Sequence, residues 1–304
     1  MTFYYILIVL STVLFGANFV CNDLYRKDRG SSLLVSLEFT LISSAISLLV
    51  FLAMNGFRFE CTPFIVIMAF LSALNGFGFT FFSLKSLGVI NLSLYSLFSM
   101  LGGMMIPFLQ GIIFYGEAVT VANLICFVLI ILALLLTVER KDKKRGGTVY
   151  YIGVFVLNGM SGVLAKIYNT APFDKGSAEI APVSYFVMSG FITVALCGAL
   201  LTYFYSRGET ITSVMSLKST LVCGASGVLN RVANYILIIA LMHVPSSVQY
   251  PMVTGGVMIV STLACFIMKN KPSKKEIISV LIAFVALVIL VIPALNIELF
   301  NIKL

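Results

Sequence analysis

Charged residues are scarce in this chain. Only 11% of its 304 residues are Asp, Glu, Lys or Arg, whereas 60% are hydrophobic and the mean hydropathy is +1.07. So few polar side chains cannot cover the surface of a water-soluble domain of this length, which excludes that class. The apolar runs also lack the regular alternation of a membrane β-barrel. The sequence therefore predicts an all-α integral membrane protein.

Residue types that mark other functions are also rare. The chain has one histidine and six cysteines, and no Cys-x-x-Cys pair, so no metal site or redox centre is expected. A Walker motif, a His-Glu-x-x-His motif and a convergent pair of carboxylates are all missing, so we expect no cofactor and no enzyme activity. The first residues, MTFYYILIVL, lack the basic start of a signal peptide, and this run is expected to remain as a helix.

Ten apolar segments have the length of about 20 residues that a helix needs to cross a bilayer. Polar or glycine-rich breaks separate them. The predicted helices are Phe3–Leu24, Leu33–Met54, Pro63–Ser83, Ile90–Tyr115, Val121–Val138, Val149–Tyr168, Pro182–Tyr205, Ser219–Leu241, Val244–Met268 and Lys275–Leu295. An even number of spans predicts that both termini lie on the same side.

The basic residues support this number of spans. The loops after predicted helices one, three, five, seven and nine contain fifteen of the twenty Lys and Arg residues, and the opposite loops contain three. Because Lys and Arg accumulate in cytoplasmic loops, this distribution puts both termini outside. We therefore interpret the net charge of +8 as a signal of membrane topology and not as the mark of a nucleic-acid site.

A short basic stretch, Glu139 to Gly147, divides the chain near its midpoint. We interpret residues 1–138 and 149–304 as two repeated units of five helices, joined by a basic linker at 139–148. At an offset of 154 positions, the second half of one unit aligns with that of the other, pairing Ser93 with Ser247 and Gly102 with Gly256. Five is an odd number, so two units of the same fold enter the membrane in opposite senses, as an inverted repeat.

These features resemble the EamA-type branch of the drug/metabolite transporter superfamily. The resemblance is carried by ten helices in about 300 residues, by FGANF (Phe15 to Phe19), by GEAVT (Gly116 to Thr120) and by the break that begins at Asn270. It implies a central cavity lined mainly by helices one, three, four, six, eight and nine, with helices five and ten outside it. Two features depart from the family: Phe15 replaces the usual Trp, and family members usually place both termini in the cytoplasm.

Polar residues inside predicted helices are candidates for function, because an unpaired polar group is costly in lipid. Arg231, near the centre of predicted helix eight, could bind a carboxylate or phosphate; the alternative is a structural ion pair with Glu38 or Asp23. The other substrate-binding candidates are Asn18, Asn75, Tyr95, Ser99, Lys166, Asn234, Tyr235, Gln249 and Tyr250. The candidates for coupling or gating are Glu38, Gly102, Pro107, Gly256 and Pro251.

We therefore expect a secondary transporter of a small polar metabolite in the plasma membrane, acting as a monomer or homodimer by alternating access. An amino acid or related carboxylate is favoured, because the most deeply placed charge is Arg231. One alternative is a proton-coupled exporter of cationic drugs, which would use Glu38, since helix one carries Asn18 in place of a central carboxylate. An intramembrane enzyme and a receptor or scaffold are further alternatives. The short loops offer little surface for a partner outside the bilayer.

Overall fold

The computed structural model describes residues 2–30, 32–89, 92–136, 148–177, 180–211, 215–267 and 274–299. Over these ranges all regular secondary structure is α-helical, without a β-strand. The ten helices are α1 (Thr2–Arg29), α2 (Leu33–Met54), α3 (Pro63–Val89), α4 (Leu92–Tyr115), α5 (Val121–Leu136), α6 (Thr148–Thr170), α7 (Ala181–Ser206), α8 (Leu217–Leu241), α9 (Ser246–Ile267) and α10 (Lys274–Leu299). The predicted basic linker from Glu139 to Gly147 lies outside the described residues.

The agreement between the predicted and observed helix bounds differs from helix to helix. Helix α2 has the predicted bounds, and the Ser32 hydroxyl caps it by accepting a hydrogen bond of 3.2 Å from the Val35 N–H. Helix α1 continues five residues past the predicted end, to Arg29. Asp23 stabilises this last part by pairing with Arg26 at 2.8 Å and with Lys27 at 2.7 Å. The end of an apolar run is therefore not the end of the helix.

Within the described ranges, seven helices are long and apolar enough to cross a membrane: α1, α2, α3, α4, α6, α7 and α8. Their outer surfaces and that of α5 are apolar as well. On α5, Val121, Leu124, Val128, Leu132 and Leu135 are all about half exposed or more and follow one side of the helix. The opposite side, which includes Asn123 and Cys126, is buried. A helix with its apolar stripe facing outwards is suited to lipid, and the chain is a multi-pass membrane protein.

Packing between helices distant in sequence holds the bundle together. The most extensive contacts are α1 with α8 and α9, α6 with α3 and α4, α2 with α7, and α5 with α10. Glycines allow two of these close approaches. A Cβ atom at Gly102 of α4 would collide with the backbone of Phe155 on α6, and one at Gly256 of α9 would lie 2.8 Å from Thr12 on α1.

Side-chain contacts identify two ends of the bundle. At the first, Glu117 after α4 contacts Lys166 near the end of α6 and Ser246 at the start of α9. At the second, Asp28 near the end of α1 accepts a hydrogen bond from Ser219 at the start of α8. We refer to these as the Glu117 end and the Asp28 end.

Candidate binding cavity

A cavity of about 270 Å³ lies at the centre of the bundle. Described residues of eight helices line it, and none of α5 or α10 does. The peripheral position of α5 and α10 is the one that the family resemblance implied. The resemblance did not indicate the contribution of α2 and α7, whose serine and threonine side chains form much of the polar wall. This volume is just below the usual range for drug-sized ligands, about 300–1,000 Å³, and suits a small metabolite.

Arg231 lies on the wall of this cavity, on the side formed by α2, α7 and α8. Its Nη1 atom donates to the Phe186 carbonyl and to the Ser189 hydroxyl, both at 3.3 Å, and Nη2 donates to the Ser44 hydroxyl at 3.4 Å. These are long contacts to neutral groups. No carboxylate in the described part of the chain lies within 4 Å of the guanidinium. Among the described residues, the cation on the cavity wall therefore has no anionic partner within 4 Å.

The acidic residues that the sequence offered as partners of Arg231 are engaged elsewhere. Glu38 accepts hydrogen bonds from Arg29 and from the Tyr25 hydroxyl near the Asp28 end, and it does not line the cavity. Asp23 pairs with Arg26 and Lys27 in its own helix. The alternative structural ion pair of Arg231 is not formed, because both carboxylates already have cationic partners closer to the end of the bundle.

Four other predicted residues also line the cavity: Asn18, Asn75, Asn234 and Tyr250. Asn18 accepts from the Ser226 hydroxyl at 2.6 Å, and Tyr250 donates to the Gly162 carbonyl at 3.1 Å. Asn234 donates to the backbone of its own helix. The structure thus collects amide and phenol groups from four helices around the same space as Arg231.

Five predicted residues do not reach the cavity. Tyr95 is buried and donates to the Ser83 hydroxyl, Ser99 accepts from Asn158, and Gln249 donates to the Leu237 carbonyl. Tyr235 packs against the rings of Phe51 and Phe186. The fifth, Lys166, pairs with Glu117. Each of these side chains contacts another helix or the segment after one, because it lies on the face of its helix that packs against a neighbour.

Sequence reasoning overlooked several uncharged polar residues on the cavity wall. These are Ser44, Asn158, Ser161, Ser189 and Asn230. Of these, Asn158 could have been identified from the sequence, because it is an amide inside an apolar run and shares a face of α6 with Gly162, one helical turn later. The small polar residues of α2 and α7 could not, because serines are common on any helix that packs in a membrane.

Glu117 forms the centre of a buried polar cluster at the Glu117 end. Its carboxylate accepts from Lys166 Nζ and from the Ser246 hydroxyl, both at 2.7 Å, and from the Ser246 and Ser247 backbone N–H groups at 3.2 and 2.9 Å. It therefore caps the N-terminus of α9 from another segment of the chain. Burial raises the pKa of this carboxyl, but the hydrogen bonds from Lys166, Ser246 and Ser247 outweigh it and lower the pKa to about 2.

The predicted gating residues lie at helix contacts or within helices. Gly102 and Gly256 are the close approaches described above, while Pro107 is inside α4 beside Gly162, and Pro251 is inside α9. A different glycine, Gly76 of α3, faces open space in the cavity, because a Cβ atom added there would meet nothing within 4 Å. Gating by the first four remains a prediction.

Neither a protein-family profile nor a curated protein matches the sequence. A solved structure described only as the crystal structure of a protein is similar, with a TM-score of 0.68 and 17% sequence identity. The match covers 95% of this chain and 98% of the other. The similarity extends over both chains almost completely, and at this identity it shows the fold alone.

Proposed function

We propose that this chain is a secondary transporter that carries a small polar metabolite, an amino acid or related carboxylate, across the plasma membrane. The observation that carries the proposal is the guanidinium of Arg231 on the wall of a 270 Å³ cavity, without a carboxylate within 4 Å in the described part of the chain. A cation that has lost much of its water and has no anionic partner provides strong binding for a carboxylate. Serine hydroxyls on either side orient the guanidinium.

The proposed architecture is ten membrane spans arranged as a 5+5 inverted repeat of the EamA type. The packing supports it. In such a repeat, each helix of the first unit corresponds to the helix five places later in the second. The contact of α1 with α8 then corresponds to that of α6 with α3, and the contact of α1 with α9 corresponds to that of α6 with α4. The pairs α2 with α7 and α5 with α10 each correspond to themselves. Helices α3 and α8 begin 154 residues apart, and so do α4 and α9. The proposed units are residues 1–138 and 149–304.

Contacts between the two proposed units at the Glu117 end support alternating access. Glu117 of the first unit holds Lys166 and Ser246 of the second, and the rings of Tyr4 and His243 stack at 3.9 Å between centroids. Glu60 and Ser177 form a further pair, between the segments that precede α3 and α7. A cavity that opens at this end has to break these contacts, so we propose that they keep it closed in this state.

No observation favours the alternative of a proton-coupled exporter of cationic drugs. Such a mechanism requires a carboxylate in the cavity, and among the described residues none lines it. Glu38, on which that hypothesis depended, is bonded to Arg29 and Tyr25. Arg231 would also repel a cationic substrate.

The test is uptake of labelled amino acids and carboxylates by proteoliposomes that contain the purified protein. A solute should accumulate faster than in protein-free liposomes, and Arg231→Leu should abolish this uptake. Arg207→Leu is the matched control, because Arg207 lies at the end of α7, over the ring of Tyr203 and away from the cavity. Uptake of an anionic or zwitterionic solute that is equally fast in the Arg231 variant would contradict the role of this residue.

A further inference from the structure

We propose that Asn75 and Asn158 form a hydrogen-bond acceptor pair that makes the cavity selective for small zwitterions. The substrate would carry a cationic N–H group close to its carboxylate, as an amino acid does. This inference rests on the proposed function and narrows it. The carboxylate would bind to Arg231, and the N–H group would bind to the two asparagine side-chain oxygens.

The orientation of both amides follows from their hydrogen bonds. Asn75 Nδ2 donates to the Leu157 carbonyl at 3.0 Å, and Asn158 Nδ2 donates to the Ser99 carbonyl at 2.6 Å. Turning either amide over would place its oxygen against a carbonyl oxygen, which is unfavourable because both atoms only accept. The nitrogen of each amide is therefore fixed, and the oxygen is left as the free acceptor.

Both asparagine oxygens are available to a ligand. Neither has a hydrogen-bond donor among the residues that the structure describes, and neither is sealed from the cavity that both residues line. Asn75 of α3 is also bonded directly to α6, through the carbonyl of Leu157, the residue before Asn158. The wall formed by α3 and α6 thus presents two acceptors to the same cavity.

Gly103 on α4 makes room for one of these amides. A Cβ atom at this position would lie 2.7 Å from Asn158 Nδ2, closer than real side chains allow. An alanine at 103 would therefore displace the Asn158 side chain. The Gly103→Ala substitution thus moves the Asn158 oxygen without replacing Asn158.

The charges around the cavity select between classes of small ions. Arg231 supplies one positive charge from α8, and Asn75 and Asn158 supply dipoles but no formal charge from α3 and α6. A cation without a carboxylate would be repelled by Arg231, and a dianion would leave its second charge without a cation. A simple carboxylate would leave both asparagine oxygens without a donor, which is costly once water is displaced. A zwitterion supplies a carboxylate for Arg231 and N–H donors for the two asparagine oxygens.

The experiment compares matched ligands on the purified full-length protein. The probes are L-alanine, L-leucine and L-phenylalanine, each paired with the carboxylate that has hydrogen in place of the ammonium group, and affinity is measured by calorimetry with thermal shift as a check. For the pair of suitable size, the amino acid should bind about tenfold tighter or more, as for the loss of hydrogen bonds to a charged group. Asn75→Leu and Asn158→Leu should remove most of this difference by weakening the amino acid alone.

Two further variants complete the design. Asn169→Leu is the matched control, because the Asn169 amide also donates to a carbonyl, that of Ile238, but does not line the cavity; it should keep the full difference. Gly103→Ala should reduce the difference in affinity between the amino acid and its paired carboxylate, because it displaces Asn158. This variant provides the test if the leucine variants do not fold.

The outcomes separate this inference from the proposed function. Equal binding of an amino acid and its paired carboxylate, or an equal loss of both in the asparagine variants, overturns the acceptor pair and leaves the transporter proposal standing. No binding of any probe by the folded wild-type protein contradicts the proposed function itself, and the acceptor pair with it.

Discussion

Replacing Glu117 by Gln is expected to lower the free energy of unfolding by about 3 kcal/mol, because a lowering of the pKa by about two units corresponds to that energy. The wild-type carboxyl has a pKa of about 2 in the folded protein, against an ordinary value of about 4.3. Its side chain and that of Lys166 are only 10% and 9% exposed. Glutamine keeps the size of the side chain but leaves the Lys166 ammonium buried without an anion, and breaking such a pair typically costs about 3–5 kcal/mol.

A double-mutant cycle with Lys166→Met assigns this energy to the pair. Unfolding by urea in mixed micelles gives the four stabilities, and the double variant should be more stable than the sum of the single effects predicts, by about 1.5–3 kcal/mol. Asp23→Asn is the control, because its partner Lys27 is 53% exposed; this change should cost at most about 1 kcal/mol. A Glu117 variant as stable as the wild type, or a coupling energy near zero, would refute this reasoning.

The same carboxylate predicts a pH dependence. Because folding lowers its pKa, the stability that Glu117 contributes is complete above about pH 4.3, the ordinary value. It is lost as the pH falls towards about 2. The urea midpoint of the wild type should therefore fall across this range, and the part of the fall due to Glu117 should be missing from Glu117→Gln. An identical pH profile in the two proteins would contradict the assignment.

Three further predictions concern the cavity and its orientation. Arg231→Leu should raise the free energy of unfolding of the ligand-free protein by about 1–3 kcal/mol, since it removes a partly buried cation that has no carboxylate within 4 Å among the described residues; a lower free energy of unfolding would mean that Arg231 is bound structurally. Gly76→Ala should be neutral or stabilising by up to about 1 kcal/mol, whereas Gly102→Ala should destabilise by about 2 kcal/mol or more, and equal effects would contradict the assignment of open space at Gly76. Cys61 is exposed at the Glu117 end, where α1 begins, and the distribution of basic residues predicts that the N-terminus lies outside the cell. In a variant with Cys61 as its single cysteine, this thiol should therefore react with an impermeant maleimide on intact cells. Reaction only after permeabilisation would place this end in the cytoplasm.

Local signals in the sequence were enough to locate the helices. The predicted bounds of α2 match the structure, in which Ser32 and Asn55 cap its two ends. The prediction for α3 ended at Ser83, yet the helix continues through Lys85 to Val89. Hydropathy reports where lipid ends, and backbone hydrogen bonding continues beyond that point.

The candidate site was predictable where a charged or amide side chain interrupts an apolar run, as Asn18, Asn75 and Arg231 do. Arg231 was found because a charge inside an apolar run is rare. Lys166 is just as unusual, but its partner Glu117 lies 49 residues away in a loop, and nothing in the spacing of the two indicates that they meet. Ser44 and Ser189 are ordinary residues in a membrane helix, and only the arrangement of helices turns them towards the cavity.

The most direct test of the account is whether the cavity can be reached from both sides of the membrane. Gly76→Cys, in a protein without other cysteines, places a thiol where the structure has open space. Oriented proteoliposomes are treated with an impermeant maleimide from one side or the other. A transporter that works by alternating access predicts labelling from each side, with one side blocked when saturating substrate is present on the other. Labelling from one side only, under every condition, would contradict transport and favour a receptor or another one-sided binding protein.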